Sequence, residues 1–139
     1  MKKAPAEKDM PPPSLDPLLQ RALSHHNAGR LADAVGLYSQ VLNFHPDHLD
    51  ALNFGGVAFF QSGEKTQALE MLNKVVRLAP DYAEAHNNLG KVLHESDSTE
   101  DSLACFERAL ELKPNYLEAK NNLGLALQDL GRAEEAAET

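Results

Sequence analysis

Two asparagine pairs, Asn87 with Asn88 and Asn121 with Asn122, stand in the similar stretches AEAHNNLGKVL and LEAKNNLGLAL, 34 residues apart. A carboxamide offers a donor and an acceptor together, so it can pair with the backbone of a bound peptide without reading its side chains. Asparagine is also a mediocre helix former, because its side chain competes for nearby backbone groups. Two of them inside a helical pattern point either to contact with a ligand or to inheritance by duplication.

The histidines offer a second chemistry. His45 and His48, in HPDHLD, stand beside Asp47 and Asp50, a set able to hold a metal ion only weakly at a surface. Helix capping accounts for both aspartates, so no metal site is assigned. His26 and His94 fall at equivalent points of a repeat but two units apart, which at roughly 8 to 10 Å per helix contact is too far for one ion. They read as packing or groove residues. Cys105, the only cysteine, lacks both the paired spacing of a zinc site and any neighbouring signal for activation. The sequence has no Walker loop, no Gly-x-Ser-x-Gly elbow and no His-Glu-x-x-His helix. No catalytic residue, cofactor or metal is expected, and the chain reads as a non-enzyme.

The elements that must position the asparagines follow from composition and period. With 42% apolar and 24% charged residues the chain is globular in composition. Its net charge of -8, with no basic cluster after Lys8, argues against nucleic acid and anionic membrane, and favours a cationic or neutral protein or peptide partner. The lone cysteine suits a reducing compartment, and the opening residues carry no apolar signal region, so a cytoplasmic location is expected. Residues 1–13, with Pro11, Pro12 and Pro13, read as a flexible leader. Order is expected to start at Ser14, an N-cap, with Pro17 in the first helical turn.

Set out on the 34-residue period, the chain divides into 15–48, 49–82, 83–116 and an incomplete 117–139. A small residue recurs as Ala22, Gly56, Gly90 and Gly124, a second as Ala34, Ala68, Ser102 and Ala136, and a proline as Pro46, Pro80 and Pro114. A large apolar residue recurs as Tyr38, Leu72 and Phe106, and a turn glycine as Gly29, Gly63 and Gly131, with Asp97 in its place in the third unit. The three- and four-residue apolar steps in each unit predict two amphipathic helices that approach closely at the small residues. A hairpin of this kind cannot cover its own apolar face, so the units must stack into an all-α solenoid. Asp47, Asp81 and Asn115 are the expected N-caps, with Asp50, Glu84 and Glu118 as capping-box acids; Ser98 and Asp101 would do the same for the second helix of the third unit. The fourth unit breaks off early in its second helix. That leaves Leu123, Leu127 and Leu130 to be covered by further chain or by another copy of the protein, a homo-oligomer through the open C-terminal end.

The pattern resembles the tetratricopeptide repeat over essentially all of 15–139. The resemblance implies a right-handed superhelical solenoid of antiparallel helix hairpins, about three and a half repeats long, with the first helix of each repeat lining a concave groove. Asn88, Asn122, Asn53, Phe54, Val57, Phe60, Lys91, His94 and Leu125 are the expected groove residues, apolar in the first two repeats and amide-rich beyond. Asparagines equivalent to Asn88 and Asn122 line the superhelix of O-GlcNAc transferase and similar bacterial proteins; Phe54 interrupts that ladder here. The carboxylate clamp of other such grooves needs basic residues with asparagine where this chain has Asn53, Val57, Asn88, Glu118 and Asn122 in one frame and Leu19, Leu23, Phe54, Glu84 and Asn88 in the other; the basic residues are absent, so that activity is not expected. The resemblance implies a protein-interaction module. A substrate-recruiting region of a larger enzyme, such as a glycosyltransferase, and a self-assembling scaffold are the alternatives.

Overall fold

The computed structural model describes residues 15–138; the leader expected at 1–13 and the cap expected at Ser14 lie outside the described residues. Seven helices and no strand are found among them: α1 (Leu15–Asn27), α2 (Leu31–Phe44), α3 (Leu49–Gln61), α4 (Lys65–Leu78), α5 (Ala83–Glu95), α6 (Thr99–Leu112) and α7 (Leu117–Glu138). The array is a helical solenoid.

Each odd-to-even turn is closed by a left-handed residue. Gly29 and Gly63 have φ of 80° and 90°, and Asp97 takes the same role with φ of 63°, as a short polar side chain permits. The next residue reaches back over the helix end in all three turns: Arg30 N–H to the His25 carbonyl at 2.9 Å, Glu64 to Phe59 at 2.8 Å, Ser98 to Leu93 at 2.9 Å. Even helices stop because proline follows. His45, Ala79 and Lys113, the residues before those prolines, have φ between -136° and -142°, the extended backbone a following proline ring imposes.

The even-to-odd junctions correct the expected caps. Pro46 and Asp47 form the middle of a tight turn closed by His48 N–H to the His45 carbonyl at 3.1 Å, and Tyr82 to Ala79 and Tyr116 to Lys113 close equivalent turns at 3.0 Å. That turn uses the proline and the following Asp or Asn as its central residues, so the helix begins one residue later. His48 caps α3, its ring accepting from Ala51 N–H, whereas Tyr82 caps α5 without a side-chain bond. Ser98 likewise makes no side-chain cap bond to α6. Asp50, Glu84 and Glu118 do lie in first turns, where a carboxylate suits the helix dipole.

Small-against-large packing holds each hairpin together. A β-carbon on Gly56 would lie 2.9 Å from Leu72, and one on Gly90 2.6 Å from Phe106. Ala34, Ala68 and Ser102 are fully buried on the opposing helices. The fourth unit differs: α7 runs through Gly131 to Glu138 without the expected turn. The residues after Gly131, rich in alanine and glutamate, are good helix formers, and a β-carbon on Gly124 would meet nothing within 4 Å. Leu127 is accordingly 52% exposed. No described helix is long and apolar enough to cross a membrane.

The way the helices touch sets the curvature. The odd helices α1, α3, α5 and α7 contact one another in succession, while the backbones of α2, α4 and α6 meet only odd helices. The odd helices therefore form the inner, concave layer.

Candidate functional site

The inner face is built from the same turns of α3, α5 and α7, and its amides are tied across the helix seams. Asn88 Nδ2 donates to Asn53 Oδ1 at 2.9 Å, and Asn122 Nδ2 donates to Asn87 Oδ1 at 3.0 Å. Asn53 and Asn87 in turn donate to the hydroxyls of Tyr82 and Tyr116, each at 3.3 Å. The Tyr82 hydroxyl in turn donates to Asp50 Oδ1 at 2.7 Å. Burial and the Asp50 carboxylate both push the Tyr82 hydroxyl well above its ordinary pKa; burial, first among its causes, also raises that of Tyr116.

Of the expected groove residues, Asn53 lies deepest: it is 1% exposed, and Asn87 is fully buried, so both serve as internal struts with almost no surface to offer a ligand. Asn88 and Asn122 are half-buried. Each spends one N–H on its strut, which fixes the carboxamide and leaves the oxygen and the second N–H without a bond among the described residues. The amide of Asn121, in contrast, sits on an exposed residue.

Phe54, Val57 and Phe60 are half-buried along α3. Phe54 packs on the core shared by α1, α2 and α3, and Phe60 on the core of α3, α4 and α5, so each gives part of its ring to packing and part to the face. Leu125 is 54% exposed on α7. Lys91 bonds Glu118 at 3.2 Å and His94 bonds Asp129 at 2.6 Å, both joining α5 to α7. His26 plays the matching part at the first seam, bonded to Gln61 at 2.6 Å and to the Tyr38 hydroxyl at 3.0 Å.

The acids expected as caps bond sideways instead. Glu84 pairs with Lys113 at 3.1 Å, and Asp47 with Lys74 at 2.9 Å, which with the Lys74 hydrogen bond first among causes lowers the Asp47 pKa. No three His, Cys, Asp or Glu side chains converge for a metal ion among the described residues. Cys105 is half-buried, and desolvation, helped by the Asp101 charge, pushes its thiol up to about 11.

Reading the residues one by one missed the struts. Their signal is joint recurrence: Asn53 with Tyr82 and Asn87 with Tyr116 appear at one fixed separation, while the first unit has Leu19 and His48 at both places. Partners present or absent together mark a contact.

Tetratricopeptide repeat profiles match residues 18–48, 83–116 and 117–138, and a TPR repeat profile matches 56–97. A mutant of the Thermobaculum terrenum O-GlcNAc transferase superposes with a TM-score of 0.79 at 32% identity, covering 81% of this chain but 22% of that one. The Sgt2 TPR domain from Aspergillus fumigatus gives a TM-score of 0.86 at 22% identity, covering 98% of this chain and 91% of the other. The first TPR of Spaghetti, bound to the HSP90 peptide SRMEEVD, gives 0.79 at 24% identity, covering 84% and 93%. No curated protein sequence matches significantly.

Proposed function

Because the chain belongs to the tetratricopeptide repeat family, we propose that it is a noncatalytic protein-interaction module holding an extended peptide or protein segment along its inner face. The observation that carries the reading is the pair Asn88 and Asn122: two half-buried amides on successive inner helices, each locked by a strut and each with hydrogen-bonding capacity left over. Successive helices roughly 8 to 10 Å apart match about three residues of extended chain. Backbone pairing at that interval would hold a segment while Phe54, Val57 and Phe60 take its side chains. Likeness to the Spaghetti domain, whose structure holds a peptide, supports the fold's capacity for such a ligand. The test is titration of a bound peptide against Asn88→Ala with Asn122→Ala; undiminished affinity with intact helix content would remove the amides from the mechanism.

A second reading makes the chain the substrate-recruiting region of a larger enzyme, supported by its 32% identity to the O-GlcNAc transferase, of which it spans 22%. A gene that encodes a transferase domain after Thr139 would establish it; one that stops there would end it. A third reading, self-assembly, draws support from exposed Leu117 and Leu127 on α7. Light scattering over a concentration series decides it, a strict monomer counting against.

A further inference from the structure

We propose that the segment taken by this groove is cationic: an extended chain whose alternate apolar side chains enter the α3 floor while lysines or arginines between them reach acidic rims. The inference rests on the groove reading above and adds the partner's chemistry. Along one edge of the inner face run Asp50, Glu84 and Glu118, in the first turns of α3, α5 and α7. Along the other stand Glu95, at the end of α5, and Asp129 of α7.

The cations that answer them are already used. Lys91 is held by Glu118 at 3.2 Å, Glu84 by Lys113 at 3.1 Å, and Asp129 by Arg132 at 4.0 Å, with His94 hydrogen-bonded to Asp129 at 2.6 Å. Asp50 and Glu95 have no ion-pair partner among the described residues, Asp50 accepting only from the Tyr82 hydroxyl. Between the rims the floor is apolar or amide: Phe54, Val57, Phe60, Asn88, Asn122. Side chains of an extended chain alternate sides, so a peptide that sends apolar residues to this floor presents the intervening ones toward carboxylates. An acidic segment meets the unpaired carboxylates of Asp50 on one rim and Glu95 on the other, with no free cation among the described floor residues to receive it.

The experiment uses the whole chain and three capped, labelled peptides of equal length, in which leucine alternates with lysine, serine or glutamate. Fluorescence anisotropy is expected to rank lysine over serine over glutamate, with roughly tenfold or more between the extremes at low salt and a narrower gap as the screening length shrinks. Asp50→Asn with Glu95→Gln should cut that gap several-fold, while Glu107→Gln, at an exposed position of α6, leaves it. Val57→Lys should shift preference toward the glutamate peptide. If Glu107→Gln lowers the gap as much as the rim pair does, the preference is a bulk charge effect and the proposal falls. If all three peptides bind alike and Asn88→Ala with Asn122→Ala weakens each, the groove reading stands and the cationic preference is overturned. If none binds, both fall.

Discussion

Asn88 on α5 donates to the carboxamide oxygen of Asn53 on α3 at 2.9 Å, and Asn53 is the buried member of the pair, 1% exposed against a half-exposed partner. The two amides look alike in the sequence and should behave differently on removal. Asn53→Ala removes the donor to the Tyr82 oxygen, leaving that hydroxyl held by Asp50 alone, takes the acceptor from the Asn88 N–H and opens a small cavity, and is expected to lower unfolding free energy by about 1 to 3 kcal/mol. Asn88→Ala leaves a site that water can reach and should lower it by less than about 1 kcal/mol. Urea denaturation of the two variants checks the order; equal losses would contradict it.

Two glycines at equivalent repeat positions should respond with opposite sign. A methyl on Gly90 meets Phe106 at 2.6 Å, so Gly90→Ala is expected to destabilise by about 1 to 3 kcal/mol through overpacking. Gly124 has open space and lies within α7, so Gly124→Ala should stabilise by about 0.5 to 1 kcal/mol through helix propensity. Thermal melting followed by circular dichroism reads both.

All three tyrosines have raised pKa values: burial pushes Tyr38 up to about 12 and raises Tyr82 and Tyr116. In the unfolded chain a tyrosine ionises near pH 10. Above that pH the unfolded state binds fewer protons than the folded state, so stability present below about pH 10 is lost as pH rises toward the folded values. Absorbance at the phenolate band and helix signal should therefore change together in base. Phenolate appearing near pH 10 with helix intact would contradict this.

Cys105 should resist alkylation in the folded chain. With its thiol pushed up to about 11 by burial and then by Asp101, little thiolate exists near neutral pH, and thiolate is the reactive form. Iodoacetamide labelling near pH 8 is expected to be slow until denaturant opens the α5–α6 hairpin, then to accelerate at the unfolding midpoint. Fast labelling under native conditions would reverse the assignment.

The repeat made the hairpins, their close contacts at Gly56 and Gly90, and the left-handed residue at Asp97 legible from residue types alone, because each is a local demand on size or backbone angle. The caps were misplaced because Asp47 fits two local roles, cap or turn centre, and the proline before it decides for the turn. The turn at Gly131 was expected from glycine, yet glycine permits a turn and does not compel one. Asn53 and Asn88 are adjacent to one another only across a seam, so neighbouring residues in the chain could not reveal which of them is inside. Cross-seam pairs such as Lys91 with Glu118 and His94 with Asp129 were hidden for the same reason.

The even helices, whose backbones stand apart from one another, make the protein a row of wedges joined along one edge. Tension applied to a segment lying in that edge is carried by the seams in series, and such a chain yields at its weakest link. The α3–α5 and α5–α7 seams each carry an Asn–Asn hydrogen bond, whereas at the α1–α3 seam Leu19 and Phe54 stand at the corresponding places and His26 with Gln61 makes the cross-seam bond. Under load the α1–α3 seam, which lacks the buried asparagine strut, should open before the two seams that have one.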